Sequence, residues 1–226
     1  IVRSQQLRNL SDHIAGTYAS NPTKIKNASS ALYETAVHES GLLKHRRQYT
    51  TQNHKIVENG VARSIWMVEP ATAKNIVSWA KNKPLAKKLL TAESGLTYKE
   101  LAAMSKAQLA DYMMKHDHFA GAVARLKYAS LKGQIPSTIE ERAKYYSKGY
   151  QGTNNPAKTR KYISDNAQMS SEIKAGALSN VVKRHIKQPP KNVGVGIKAH
   201  NNKINHKMSS QKAKLSVMKK IFSHVR

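Results

Sequence analysis

Signals that start and stop α-helices recur along residues 4–186 and leave little room for β-sheet. Thr97 with Glu100, and Ser105 with Gln108, form capping boxes, in which two side chains satisfy the free amides of a helix start. Pro70 stands where a first helical residue is expected. The pattern predicts a mainly α-helical domain over residues 1–186. We expect helices over 4–19, from Asn27 to Gly41, over 70–82, after each capping box, from Asp117 to Gly133, from Pro136 to Lys148, from Asn155 to about Asn166, and from Ser170 to about Ile186.

One segment has the pattern of a β-hairpin. Asn59-Gly60 lies between short apolar stretches, and this pair is typical of a two-residue type I′ turn. We therefore expect a short hairpin over residues 54–66 and little other β structure in the chain.

Charge is the unusual property of the composition. The 226 residues include 39 Lys and Arg against 13 Asp and Glu, a formal net charge of +26. Such self-repulsion is tolerated best beside a polyanion such as nucleic acid, teichoic acid or an anionic lipid surface. The absence of cysteine excludes disulfides, thiolate metal sites and a cysteine nucleophile. No apolar run is long enough to span a membrane, and the start IVRSQQLRNL is interpreted as a processed or incompletely represented N-terminus.

The C-terminal part of the chain differs in composition from the rest. After Glu172 there is no acidic residue, whereas residues 173–226 contain 13 Lys and Arg and four His. We place a domain boundary near residue 187, followed by a basic linker and an amphipathic helix over 211–225. This tail, residues 187–226, is expected to dock on partner proteins, to contact DNA non-specifically through phosphates, or to lie on a membrane surface.

Residues 31–73 carry the motifs with chemical content. A helix-terminal Glu39-Ser40 is followed by HRRQ and then by ARSIWMVEPATA at 62–73; FAGAVARLKY and YYSKGYQGTNN come later. In order and spacing these motifs resemble the lysozyme-like domains of bacteriophage virion proteins, within the superfamily of soluble lytic transglycosylases and goose-type lysozymes. The resemblance covers about residues 30–165. It implies a lysozyme-like helical fold and cleavage of the β-1,4 glycosidic bond of peptidoglycan during genome delivery.

Glu39 is the catalytic residue that the resemblance implies, as general acid and then general base. Such an acid must be protonated near neutral pH, which requires a raised pKa. The negative end of the helix dipole would raise the pKa of Glu39, whereas the nearby cations Lys44, Arg46 and Arg47 would oppose this unless they point away. Glu34, earlier in the same helix, is expected on a solvated face. Glu58, beside the Asn59-Gly60 turn, is expected in a solvated turn rather than over the cleft as a second carboxylate.

The other candidate residues are expected to bind substrate. Ser40 either orients Glu39 or caps the helix end, and Gln48 is a candidate sugar contact. Trp66 either stacks on a sugar or fills the core. Glu69 either lines the cleft or caps the helix that Pro70 begins, and Tyr128 either closes the cleft or fills the core. No metal site is expected, because His116 and His118 are spaced i, i+2 and would lie on different sides of a helix. No cofactor is expected either, because the sequence has no Walker loop and no dinucleotide-binding fingerprint.

Two departures from the family pattern leave a second interpretation of the function open. Ser64 stands where the family has Gly, and Met67 stands where it has a substrate-contacting Gln. The alternative is therefore an inactive lysozyme-like structural virion protein that contacts nucleic acid through its basic surface. A host-encoded basic nucleic-acid-binding protein is a further alternative. Both the enzyme and the inactive structural protein would belong to the virion, in the tail or as an internal component. The enzyme would act in the bacterial cell envelope.

Overall fold

A computed structural model of the chain describes residues 2–52, 55–57 and 60–174, and this part is mainly helical. Its α-helices are α1 (Val2–Tyr18), α2 (Pro22–Glu39), α3 (Pro70–Trp79), α4 (Pro84–Ser94), α5 (Tyr98–Ala103), α6 (Lys106–Lys115), α7 (Asp117–Ser130), α8 (Ile139–Tyr145) and α9 (Pro156–Lys174). A 3₁₀ turn (Ala80–Asn82) extends α3, and a π-helical turn (Tyr146–Tyr150) extends α8. The expected domain boundary near residue 187, the tail helix over 211–225 and the side chain of Glu58 lie outside the described residues.

Two short strands follow α2. β1 (Thr50–Gln52) pairs antiparallel with β2 (Lys55–Val57), with Thr50 opposite Val57. Farther along, single antiparallel bridges join Arg63 to Arg47 and to Val68. Asn59, the first residue of the expected turn, lies outside the described residues.

Several helix starts follow the local chemistry that the sequence predicts. Both capping boxes, at Thr97 and at Ser105, form with their two reciprocal hydrogen bonds. Pro70 is the first residue of α3, as expected for a residue whose missing amide is not needed there. These predictions are confirmed. They were accessible from the sequence because each depends on contacts within one helical turn.

Other helix boundaries differ from the expectation. α2 begins at Pro22 rather than near Asn27, because the side chain of Asn21 accepts a hydrogen bond from the amide of Lys24 and caps the helix. Asn27 lies inside α2, and its side chain donates to the carbonyl of Ile135. α9 continues past Ser170 without a break. α7 has His116 at its N-cap position, while the carboxylate of Asp117 pairs with Arg46.

The core forms around α7, which contacts α1, α2, α3, α4 and α6. Its residues from Phe119 to Leu126 are buried, and other elements approach the helix closely at Gly121. A Cβ there would lie 2.4 Å from Ile14 Cδ1 and 3.0 Å from Trp66 Cη2. Packing at this density leaves no space for an added methyl group, so glycine is required for α1 and the Trp66 segment to reach α7. Within the described part of the chain, no helix is both long and apolar enough to cross a membrane.

Candidate active site

The segment Glu39-Ser40-Gly41 ends α2 and fixes where the Glu39 carboxylate lies. The buried Ser40 hydroxyl donates to the carbonyl of Ala36 and accepts a 2.8 Å hydrogen bond from the amide of Leu43. Gly41 has φ +58°, which favours glycine, and a Cβ there would lie 2.7 Å from the Tyr49 hydroxyl. The chain therefore turns sharply after Glu39, and Tyr49 packs against the turn.

The carboxylate of Glu39 accepts two hydrogen bonds from a distant part of the chain. The Tyr146 hydroxyl donates to Glu39 Oε1 at 2.7 Å, and Gln151 Nε2 donates to the same oxygen. Gln151 is in turn held by Lys158, whose ammonium donates to Gln151 Oε1 at 3.3 Å. These contacts fix one carboxylate oxygen and leave Oε2 without a hydrogen-bond donor among the described residues.

Glu39 lies in an open cleft of about 320 Å³. The cleft brings together the end of α2, the segment after it, the π-helical turn and the start of α9. Among the described residues that line it, Glu39 is the one carboxylate. The lining residues are His38, Glu39, Gln48, Tyr49, Met67, Tyr146, Gln151, Lys158 and Lys161.

Burial raises the pKa of Glu39 above its ordinary value of 4.5. The hydrogen bond from Tyr146, the charge of His38, the hydrogen bond from Gln151 and the charge of Lys127 all lower this pKa, but they do not cancel the effect of burial. Lys127 is itself half-buried, and burial lowers its pKa in turn. The site therefore favours a protonated Glu39 over a wider pH range than water does.

The cations that follow Glu39 in sequence are engaged elsewhere. Arg46 makes a buried pair with Asp117 and donates at 3.1 Å to the carbonyl of Met114. Arg47 donates at 3.1 Å to the carbonyl of Gly60. Neither lines the cleft, nor does the exposed Lys44.

The structure brings Gln48 to the cleft together with Glu39, and it places the other candidate residues elsewhere. Trp66 is fully buried, and its indole N–H donates at 2.9 Å to the carbonyl of Leu32. Tyr128 is also buried, and its hydroxyl lies 2.6 Å from Thr35 Oγ1. Ser40 caps the helix end. Glu69 is exposed at the N-cap position of α3, and its side chain makes no capping hydrogen bond.

The two positions that depart from the family pattern both have left-handed backbone. Ser64 has φ +67° and Met67 has φ +46°. A glycine would adopt the conformation of Ser64 without strain. Met67 lines the cleft with its thioether side chain, so the amide expected at this position is replaced by an apolar group.

Sequence reasoning missed Tyr146 and Gln151. They lie 107 and 112 residues after Glu39, and only tertiary packing brings them to it. The motif YYSKGYQG contains both residues, but its residue types alone do not say which one contacts a carboxylate. The π-helical turn is the local feature that marks them, because such turns are frequent at functional sites.

The expectation for Glu34 is wrong. Its carboxylate is buried and makes two hydrogen bonds with Arg142, at 2.6 and 2.8 Å, and a third at 3.2 Å with the Tyr162 hydroxyl. The reason is that α2 is covered by α8 and α9 on the face that carries Glu34. Glu34 is therefore a structural residue that ties three helices together.

One group of side chains outside the cleft could hold a metal ion. His13, Glu93 and His118 offer ligand atoms within 4.8 Å of one another. Each imidazole makes a 2.8 Å contact with one oxygen of the buried Glu93 carboxylate. Burial alone would raise the pKa of Glu93, but the hydrogen bonds from His118 and His13 hold it below its usual value. These contacts satisfy the carboxylate without an ion.

Comparisons of this chain with protein-family models, with curated proteins and with solved structures find no match. The function is therefore argued from the residues of the cleft.

Proposed function

We propose that this chain is a peptidoglycan-degrading virion protein with a lysozyme-like fold, in which Glu39 is the general acid and base. The observation that carries the proposal is a half-buried carboxylate of raised pKa in an open cleft, held by hydrogen bonds to one of its two oxygens. A glycosidase acid needs this combination, because it must hold a proton at neutral pH and present it to the substrate.

The first chemical step uses the free oxygen of Glu39. Tyr146 and Gln151 both donate to Oε1, so the proton of the neutral carboxyl resides on Oε2. This proton passes to the glycosidic oxygen as the bond between the anomeric carbon and that oxygen breaks. The resulting carboxylate is stabilised by its two donors, and positive charge develops on the sugar ring.

The second step returns the proton to Glu39. The 6-hydroxyl of the same sugar attacks the anomeric carbon, and Glu39 Oε2 accepts the hydroxyl proton. The product is a 1,6-anhydro sugar, and the enzyme regains its starting protonation state. This route requires a single carboxylate, whereas an inverting hydrolase needs a second one about 6.5–9.5 Å away to activate water. Among the described residues, Glu39 is the one carboxylate that lines the cleft, and the transglycosylase route needs no other.

The other cleft residues offer contacts for a glycan strand. Gln48 is exposed at the edge of the cleft, and its amide can donate to and accept from sugar hydroxyls. Tyr49 presents an aromatic ring there. Lys158 adds positive charge at the side formed by α9, which suits the carboxylates of peptidoglycan stem peptides. The neighbouring Lys161 pairs with Asp165 at 2.8 Å.

We further propose that the protein is carried in the virion, in the tail or as an internal component, and opens the cell wall locally during genome delivery. The net charge of +26 and the acid-free residues 173–226 support this, because they suit contact with DNA and with other virion proteins.

The proposal is tested on zymograms that contain purified cell walls. The full chain should produce a clear zone, and Glu39→Gln should not, because the amide cannot donate an acidic proton. Glu69→Gln is a matched control outside the cleft and should clear the gel like wild type. Equal clearing by wild type and Glu39→Gln would remove Glu39 from the mechanism.

A second candidate function rests on Met67. An apolar side chain lines the cleft where the family has an amide, and this favours a lysozyme-like domain that serves as a structural virion protein and contacts nucleic acid through its basic surface. Failure of the wild-type chain to clear any cell wall, with binding to DNA retained, would favour this second function.

A further inference from the structure

A second cavity lies at the other end of α2 from Glu39. It has a volume of about 550 Å³, larger than the catalytic cleft, and it is formed by the start of α2, the end of α1 and the C-terminal half of α7. Tyr18, Thr23, Lys24 and Arg125 are among the residues that line it. Because α2 rises about 1.5 Å per residue, its two ends are about 25 Å apart, so this cavity is separate from the cleft.

Arg125 is the unusual residue of this cavity. Its side chain comes from the buried face of α7, and the residue is only 7% exposed. Its Nε is buried and has no hydrogen-bond acceptor among the described residues. Its guanidinium lies over the ring of Tyr18, whose centre is 4.7 Å from the guanidinium carbon.

The acidic residues of the described chain do not neutralise Arg125. All 13 acidic residues except Glu58 lie in the described ranges, and no ion pair there involves Arg125. A buried guanidinium without an anion is costly, because it gives up hydration that no counter-charge replaces. By contrast, Arg46 and Arg142 are buried to a similar degree and each has a carboxylate partner.

Two other features of the cavity also favour negative charge. Lys24 lines it, in the first turn of α2. The N-terminus of this 18-residue helix carries partial positive charge. Pro22 has no amide N–H, and the amides of Lys24 and Ile25 bond to Asn21, which leaves the Thr23 amide without a partner among the described residues.

We infer that this cavity binds a phosphate group, with the Arg125 guanidinium as its buried anchor and with Lys24 and the Thr23 amide at its mouth. An arginine fork matches two phosphate oxygens, and a helix N-terminus adds amide donors. A cavity of about 550 Å³ exceeds the size of a free phosphate ion, so the phosphate is carried by a larger molecule. The partly exposed Tyr18 provides aromatic surface for the remainder of that molecule.

Isothermal titration of the full chain at 150 mM NaCl tests this inference with three probes: inorganic phosphate, glycerol 3-phosphate as a monoester, and a short abasic phosphodiester. Wild type should bind at least one probe with one saturable site per chain. Arg125→Gln should weaken that site at least tenfold, and Lys24→Gln by a smaller factor. Arg160→Gln, an exposed arginine in α9, removes the same charge outside the cavity and should leave the site unchanged.

A chain of this charge also binds anions diffusely, and the matched control separates the two effects. Equal weakening by Arg125→Gln and Arg160→Gln would overturn the inference, as would the absence of saturable binding for all three probes. The preferred probe identifies whether the ligand is a free ion, a monoester or a polymer.

A thermal measurement keeps the test valid if Arg125→Gln folds poorly. The preferred probe should raise the unfolding temperature of wild type. It should raise that of Arg125→Lys by less, and it should leave that of Arg125→Gln unchanged. An equal rise in all three would place the bound phosphate elsewhere on the surface. Because none of these variants touches the cleft, each should retain the cell-wall clearing of wild type.

Discussion

The Tyr146 hydroxyl donates a 2.7 Å hydrogen bond to Oε1 of Glu39, although 107 residues separate them in the chain. Tyr146 is the first residue of the π-helical turn, and its ring packs between those of Tyr150 and Tyr162 at centroid distances of 5.7 and 4.8 Å. The neighbouring Tyr150 hydroxyl donates to the carbonyl of Trp66 at 3.1 Å. Thus a rigid group of aromatic rings positions the hydroxyl that orients the carboxylate.

Tyr146→Phe should shift the pH dependence of activity upward. The hydrogen bond from Tyr146 stabilises the ionised form of Glu39 and lowers its pKa, so its loss raises that pKa further. Gln151, His38 and Lys127 still face the carboxylate and limit the shift. Cell-wall digestion measured from pH 4 to 9 should place the alkaline limb of Tyr146→Phe above that of wild type. The maximal rate should fall, because Oε1 loses one of its two donors.

Tyr145→Phe is the matched control, since its hydroxyl donates at 3.3 Å to the carbonyl of Lys132 and not to Glu39. An alkaline limb of Tyr146→Phe that coincides with those of wild type and Tyr145→Phe would contradict the orienting role.

Glu39→Gln should stabilise the folded protein at neutral pH. The pKa of Glu39 is higher in the folded state than its ordinary value of 4.5, so folding favours the protonated form. Below pH 4.5 the carboxyl is mainly protonated in both states, and its ionisation does not affect the unfolding free energy. As pH rises from 4.5 to the folded pKa, the unfolded state ionises more readily than the folded state, so the unfolding free energy falls. Above the folded pKa this loss is complete. Chemical denaturation should therefore give Glu39→Gln a higher unfolding free energy at pH 7 and a similar one near pH 3.5. An increase in unfolding free energy that is the same at both pH values would show that the ionisation of Glu39 does not cause it.

Glu34→Ala should destabilise the protein by about 3–5 kcal/mol, because it leaves the Arg142 guanidinium buried without its partner. The double variant Glu34→Leu with Arg142→Met should recover most of this loss, since well-packed apolar residues can replace a buried ion pair. Urea denaturation of the three variants measures both quantities. A loss below 1 kcal/mol for Glu34→Ala would indicate that the pair is open to solvent.

Met67→Gln should raise cell-wall cleavage about threefold to tenfold if the chain is an enzyme. The new amide would enter the cleft that Met67 lines, and one added hydrogen bond to the substrate is worth about 0.5–1.5 kcal/mol. Met67→Leu keeps an apolar side chain and is the control. Initial rates on soluble glycan fragments compare the three proteins, and a lower rate for Met67→Gln than for Met67→Leu would show that the cleft does not use an amide there.

The sequence was most informative where a contact is local. The capping boxes at Thr97 and Ser105, the start of α3 at Pro70 and the position of Glu39 at a helix end all depend on residues within one or two turns. Capping is less certain when two candidates compete. Both Asn21 and Asn27 can cap a helix, and α2 begins after Asn21 because proline at the first helical position is compatible with a start.

Contacts between distant segments could not be predicted from local patterns. The local sequence of α2 predicts a solvated Glu34. Its burial depends on the ion pair with Arg142, which lies 108 residues later in the chain. Tyr146 and Gln151 reach Glu39 because α8 and α9 pack near the end of α2. Residue type alone allows Trp66 either to fill the core or to contact substrate, and its packing against Gly121 places it in the core.

Product analysis of digested peptidoglycan tests the central claim, that Glu39 of this cleft cleaves the glycan strand. Purified sacculi are incubated with equal amounts of wild type and Glu39→Gln at pH 6–7, and soluble fragments are quantified by mass spectrometry. Wild type should release fragments with 1,6-anhydro ends, and Glu39→Gln should release at least about a hundredfold fewer, as expected for the loss of a general acid. Release of fragments at the same rate by both proteins, or by neither, would contradict the account.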